Sequence, residues 1–223
     1  MFESIEFKTD PSFCYEASPV YCDERAVEVP WTLEVIRKFR EGKPASMRLC
    51  DVGCHDSRHL APLSGEGIIL EGIDIQPCAL SRVKTYHCDI RDFKNFGHYD
   101  VVTCISALEH IGFQVYGGRL SDEWFHEQVK SVGIMKKMLN ANGILILTLP
   151  LGRYELFPTH VNYDLPLFDR LMEEANLKVM KREMYHFDMV GRAWEKSPAD
   201  APNTRGYSEG VRFATGVLLA ILR

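Results

Sequence analysis

The sequence has little that would suit it to nucleic acid, to a membrane or to an oxidising compartment. Lysine and arginine number 26 against 31 acidic residues in a chain of 223, a net charge of −5. No broad electrostatic hold on a polyanion is expected from that balance, so nucleic acid is not expected as a partner. The longest apolar run, at 217–222, falls far short of the roughly 20 residues that cross a bilayer. Near the start stand Glu3, Glu6 and Asp10 with no apolar stretch of the signal-peptide kind, and a cytoplasmic setting is expected. The seven cysteines are odd in number and lack paired spacing, which predicts a reduced chain. Internal repeats and low-complexity tracts are absent. What is present is 46% hydrophobic and 26% charged, the balance of one globular domain over 1–223.

Short apolar runs alternate with helix-like stretches through the middle of the chain. Runs at 47–53, 67–74, 85–89, 99–106 and 143–149 are rich in β-branched and apolar residues without strict alternation, as expected of strands covered on both faces. Helical spacing of apolar residues predicts helices at 29–41, 122–139 and 166–176, the second stopped by Asn140-Ala-Asn-Gly143. Two further strands are expected at 177–188 and 211–222, joined by a long polar segment containing Pro198, Pro202 and Gly206. The stretch 194–207 within it is read as a candidate lid. This order predicts a doubly wound, Rossmann-like α/β sheet.

In such a sheet ligands sit beyond the carboxyl ends of the strands, near the point where strand order reverses. The residues closing the first four runs are Asp51 with Gly53, then Asp74, Asp89, and Ser106 with Glu109-His110. A glycine after the first strand permits a tight turn and close backbone approach. An acid closing the second, about 20 residues later, is placed for ribose hydroxyls. A third acid is placed for an exocyclic amine. Together they outline an adenosine pocket. Read singly, Asp51 and Asp74 are ordinary strand-end acids, and Asp92 competes with Asp89, with helix capping as its plain alternative.

The order Leu49-Cys-Asp-Val-Gly-Cys54, Leu70-Glu-Gly-Ile-Asp-Ile75, Cys88-Asp-Ile-Arg-Asp-Phe93, Tyr99-Asp-Val-Val-Thr-Cys-Ile-Ser-Ala-Leu-Glu-His-Ile111 and Leu139-Asn-Ala-Asn-Gly-Ile-Leu-Ile-Leu147 resembles the class I S-adenosylmethionine-dependent methyltransferases. The resemblance covers about 45–150 and implies a seven-stranded sheet, mostly parallel, with an antiparallel C-terminal strand. It implies S-adenosylmethionine as cofactor, S-adenosylhomocysteine as its product, and a cofactor-binding core at 45–150. A helical or loop extension at 1–44 would precede that core, and an acceptor-side region at 151–223 would follow it. Carried over residue by residue, Asp51, Gly53, Cys54 and His55 form the loop beside the methionine moiety. Asp74 takes the ribose hydroxyls and Ile75 packs on the adenine. Asp89 faces the adenine amine with Ile90 beside the ring, and Ser106 and Ala107 lie beneath the sulfonium. The family's Gly-x-Gly-x-Gly loop reads Gly53-Cys54-His55-Asp56-Ser57 here, with His55 and Ser57 at the second and third glycine positions.

The resemblance implies methyl transfer to an oxygen or nitrogen of a small-molecule acceptor. A faint similarity of Glu109-His-Ile-Gly112 and Tyr116-Gly-Gly118 to proteins of sugar and polysaccharide gene contexts suggests a sugar precursor. His110 is the candidate general base, since an imidazole titrates near working pH. Its alternatives are a role in supporting the loop, or alignment alone. Tyr116, Arg153, Tyr154 and His160 are further candidates on the acceptor side. An inactive nucleotide-binding or scaffolding protein is the second reading, supported by the altered loop. A dehydrogenase would need Gly-x-Gly-x-x-Gly after the first strand, and the chain lacks it. His55 and His59 are four apart but have no matching distant cluster, so no metal site is expected.

Overall fold

The apolar runs form one sheet. The computed structural model describes residues 2, 5–14, 22–43, 46–57, 60–78, 83–118, 120–198 and 214–223. Strands β1 (Met47–Val52), β2 (Ile68–Asp74), β3 (Lys84–His87), β4 (Tyr99–Ile105) and β5 (Leu139–Pro150) are mutually parallel neighbours in the order β3-β2-β1-β4-β5. Beyond β5 come β10 (Gly216–Leu222), β8 (Val179–Asp188) and β9 (Ala193–Lys196). β10 is antiparallel to both β5 and β8, as expected of the C-terminal strand. Among the described residues the sheet has eight strands rather than the expected seven. The additional one is β9, which folds back antiparallel on β8 by pairing Phe187 with Trp194. Four residues reading Ala-Trp-Glu-Lys carry too little apolar pattern to mark a strand. Trp194 is nonetheless buried, packs edge-on against Phe187 and donates its indole N–H to the Cys22 carbonyl at 2.9 Å. A separate hairpin pairs β6 (Glu155–Leu156) with β7 (Val161–Asn162).

Side chains alternate across the sheet and are covered on both faces, which is why the strands read as unbroken apolar runs. On one face Val102, Leu145 and Leu147 pack with Met135 of α3 (Trp124–Met138) and Phe168 of α4 (Leu165–Glu174). On the other Leu49, Val101 and Ile146 pack with Trp31 and Ile36 of α1 (Arg25–Arg40) and with Leu63 of the short α2 (Ala61–Gly65). Every residue of β10 is buried, as its place between β5 and β8 requires.

Two element boundaries and the state of two cysteines differ from the sequence reading. α1 starts at Arg25, not at 29, so Pro30 lies within it and one more turn reaches the end of the sheet. Asn140 to Gly143 do not stop α3 with left-handed backbone. They belong to β5, where pairing jumps from Tyr99↔Leu139 to Val101↔Ile144 and the irregularity absorbs the extra residues. Cys14 and Cys22 are bonded to each other where a fully reduced chain was expected, and the other five cysteines are free. The candidate lid at 194–207 lies outside the described residues from 199 onward, as does His59. Among the described residues no helix is long and apolar enough to cross a membrane.

Candidate active site

At the carboxyl ends of β1, β2 and β4 the chain encloses a cavity of about 640 Å³, inside the range of roughly 300–1,000 Å³ usual for small-molecule sites. Order reverses here, since β1 is flanked by β2 on one side and β4 on the other. Gly53, His55, Asp74, Ile75, Asp89, Ile90, Ser106, Ala107 and His110 all line it. Two expected site residues do not: Asp51 and Cys54 sit behind the wall.

Asp51 is 2% exposed and organises the loop from beneath. Its carboxylate accepts the Thr103 hydroxyl at 2.5 Å and the hydroxyl of Ser57. Burial pushes its pKa up to about 6, and the two hydroxyls pull against that rise. Ser57, standing where a glycine is usual, therefore ties the loop to the strand. Gly53 keeps the one position that demands glycine. Its φ is +85°, and a Cβ there would lie 2.5 Å from the Ala107 Cβ. The Cys54 sulfur packs against Gly72 of β2, where an added Cβ would come within 2.5 Å of it. The His55 ring is turned to the loop after β2, where Nδ1 donates to the Pro77 carbonyl at 2.7 Å.

Asp74 accepts one backbone amide on each oxygen, from His55 at 2.9 Å and from Gln76 at 2.7 Å. A carboxylate offers about four lone-pair sites, so acceptor capacity remains for a diol. Asp89 caps the short 3-10 turn Ile90–Asp92, the role considered for Asp92, by accepting from the Arg91 amide at 2.9 Å. The Arg91 guanidinium grips both its oxygens at 2.9 and 2.6 Å and reaches Glu127 of α3 at 3.0 Å. Its fork fixes the carboxylate plane at the pocket wall.

The extra first turn of α1 brings residues that sequence reasoning missed. Glu24 and Arg25 line the cavity, and Glu28 stands fully buried beside it. Arg25 Nη1 donates to Glu28 at 3.1 Å and to the Ile105 carbonyl at 3.1 Å, which fastens α1 to the end of β4. The Ser106 hydroxyl donates to Glu28 at 2.5 Å and its amide to the Thr148 carbonyl at 3.2 Å. Those bonds hold Ser106 at φ +40°, a conformation that non-glycine residues rarely adopt. The available signal was charge at 24, 25 and 28 ahead of an apolar helix, with Arg25 and Glu28 one turn apart.

Glu109 is 3% exposed and faces the cavity, and its Oε2, like the Oε2 of Glu24, has no hydrogen-bond partner among the described residues. Burial pushes each carboxyl up to about 8, and for Glu24 the nearby Glu28 adds to the rise. The His110 Nδ1 lies 2.9 Å from the Thr159 carbonyl, which can only accept, so the proton sits on Nδ1 and the lone pair on Nε2. Burial lowers its pKa, so the ring is neutral near pH 7. Tyr116 and His160 meet the His110 ring edge-on at 5.4 and 5.6 Å and also line the cavity. Of the other acceptor-side candidates, Tyr154 lines a separate surface groove with Trp124 and Arg170. Arg153 lines neither, and its carbonyl accepts from Asn162 at 2.6 Å. Among the described residues no group of His, Cys, Asp or Glu is arranged to hold a metal ion.

The fold is shared with solved methyltransferases at low sequence identity. The magnesium protoporphyrin IX methyltransferase of Synechocystis is 15% identical with a TM-score of 0.55, covering 90% of this chain and 82% of its own. The N-methyltransferase NodS of Bradyrhizobium japonicum is 16% identical with a TM-score of 0.51, covering 88% and 94%. The 1,6-didemethyltoxoflavin N1-methyltransferase of Burkholderia thailandensis is 11% identical with a TM-score of 0.53, covering 100% and 97%. No curated protein matches the sequence. A family profile described as a methyltransferase domain does match, over residues 30–182. The matched segment runs from α1 into β8 and takes in every strand that ends at the cavity, so the chain belongs to the methyltransferase-domain family and carries its class I, Rossmann-like fold.

Proposed function

We propose that the chain binds S-adenosylmethionine in this cavity and transfers its methyl group to an oxygen or nitrogen of a small-molecule acceptor. The observation that carries this reading is the convergence of Gly53, Asp74, Asp89 and Ala107, from four separate loops, on one cavity. The residues fit an adenosyl group. Asp74 has acceptor capacity for the ribose, Ile75 and Ile90 supply apolar surface for a base, and Asp89 is fixed in the wall. The close approach of Gly53 to Ala107 fills the space a side chain would need and leaves backbone facing the ligand.

The cofactor supplies an electrophilic methyl group on a sulfonium, and the protein supplies orientation and a dry site. The neutral His110, with its lone pair on Nε2, takes a proton from the acceptor. Residues 45–150 form the cofactor-binding core, and 151–223 contribute Thr159 and His160 to the acceptor side. The sequence suggests a sugar or polysaccharide precursor as the carbon skeleton and a cytoplasmic setting. The solved relatives named above include proteins described with bound S-adenosylmethionine or S-adenosylhomocysteine, which supports the cofactor assignment.

The second reading, a binding protein without catalysis, draws on His55 and Ser57 in the glycine loop. Against it, both residues have structural partners in Pro77 and Asp51, and the strained glycine is kept. Calorimetry on Asp74→Ala tests the pocket. Affinity for S-adenosylhomocysteine should fall at least tenfold with an unchanged circular dichroism spectrum, and undiminished affinity would overturn the assignment.

A further inference from the structure

Two carboxyl oxygens in this cavity, Glu109 Oε2 and Glu24 Oε2, are buried and without a partner among the described residues. A buried polar atom without a partner is costly, and more so when it is charged. Glu28, on the next turn of α1, already takes the Ser106 hydroxyl and the Arg25 guanidinium. Next to them stands a wall of neutral rings, His110 with Tyr116 and His160 set edge-on against it. Carboxyl oxygens awaiting N–H donors in a cavity also lined by aromatic rings are the chemistry that recognises an ammonium group.

Resting on the reading of the pocket as a methyltransferase site, we infer that the acceptor is an amine, recognised through its N–H groups by Glu109 and Glu24. An alcohol can give one hydrogen bond where a primary ammonium gives three, and only the ammonium carries the charge that draws a buried carboxyl to its ionised form. Glu24, Glu28 and Glu109 cluster around Arg25, so an ammonium bound here meets buried carboxyls that can ionise in response to it. An ammonium has no lone pair and cannot accept a methyl group. His110 Nε2 resolves this: one N–H bond of the ammonium breaks, its electron pair stays on the acceptor nitrogen, and the proton bonds to the imidazole.

The same arrangement gives binding a proton linkage. The groups facing Glu109 are Glu24, Arg25 and Glu28 from α1, Cys104 from β4, the adjacent His110 and Tyr163. Burial leaves the Glu109 carboxyl protonated near pH 7, and an ammonium beside it draws it to the carboxylate. Amine binding at pH 7 should therefore release protons to the buffer, and affinity should rise from pH 6 to pH 8.

The test is titration calorimetry on the full chain, first with S-adenosylhomocysteine and then, on the saturated protein, with amine and alcohol pairs of shared skeleton. Suitable pairs are benzylamine with benzyl alcohol, phenethylamine with phenethyl alcohol, and cyclohexylamine with cyclohexanol. The expected result is at least a tenfold preference for the amine in one or more pairs, with proton release detected by comparing buffers of different ionisation enthalpy. Glu109→Gln should lose that preference and release fewer protons while binding S-adenosylhomocysteine within twofold of wild type. Three outcomes overturn the inference and leave the pocket assignment standing: no amine preference in any pair, a preference that survives Glu109→Gln, or Glu24→Gln and Glu109→Gln both weakening S-adenosylhomocysteine as strongly as the amine. Failure of the wild-type chain to bind S-adenosylhomocysteine overturns the underlying reading, and the inference with it.

Discussion

Replacing Gly53 by alanine puts two separable costs on the loop that faces the cavity. The first is conformational: a φ of +85° lies where a Cβ crowds the backbone, at about 1–2 kcal/mol for an L-residue. The second is contact. The new methyl would lie 2.5 Å from the Ala107 Cβ, closer than real carbon atoms approach, and forced overpacking of this kind costs about 1–3 kcal/mol. Together they come to about 2–5 kcal/mol, and for a chain of this length each kcal/mol lowers the melting temperature by about 2–4 °C. Gly42 is the control, because its φ is +73° and an added Cβ there meets nothing within 4 Å among the described residues. Thermal melts should show Gly53→Ala falling at least twice as far as Gly42→Ala. Adding Ala107→Gly should recover part of the difference by removing the contact while leaving the conformational cost. If the two single variants melt alike, or if Ala107→Gly recovers nothing, the close approach of the loops after β1 and β4 is refuted.

Other consequences follow from the buried acids. Glu109 and Glu24 are pushed to about 8 chiefly by burial, so the folded chain keeps protons that the unfolded chain loses near 4.5. Stability should fall as pH rises between about 4.5 and 8, by up to about 1.4 kcal/mol per pH unit per group. His110 and His160 oppose this below their ordinary value of 6.5, since burial lowers both, His160 to about 4. Urea unfolding at pH 6.5 and 8 thus isolates the carboxyls: wild type should be less stable at pH 8, and Glu109→Gln should show a smaller drop. A wild-type chain that gains stability over that interval would contradict the burial argument. Thr103→Val removes one of the two hydroxyls donating to the buried Asp51 and should cost about 1.5–3 kcal/mol in denaturant melts. A cost below about 0.5 kcal/mol would mean that Asp51 is protonated and needs no donor.

Much of this site was legible because acids and glycines at strand ends are placed by the sheet itself. Once 47–53, 67–74, 85–89 and 99–106 are recognised as parallel strands, Gly53, Asp74, Asp89 and Ser106 must share one edge, and they do. Asp51 closes the strand end as expected and shapes the loop, but that its carboxylate lies behind the cavity wall is not set by spacing. Adjacent residues of a strand face opposite ways, and it is tertiary partners, Thr103 on β4 and Ser57 in the loop, that decide what the carboxylate touches. Glu24 and Arg25 were missed because Pro30 suggested a helix start several residues too late. β9 was missed because a four-residue edge strand, with only Trp194 buried, has no period to read. The partnerless oxygens of Glu109 and Glu24 belong to packing and cannot be read from any spacing.

The central claim, an adenosyl pocket at the carboxyl ends of β1, β2 and β4, meets its most direct test in calorimetric titration of the purified chain. Separate injections of S-adenosylmethionine and S-adenosylhomocysteine should each give saturable heat with one site per chain and micromolar affinity. An absence of heat with both ligands at high protein concentration would contradict the account and turn the search toward other nucleotides and protein partners.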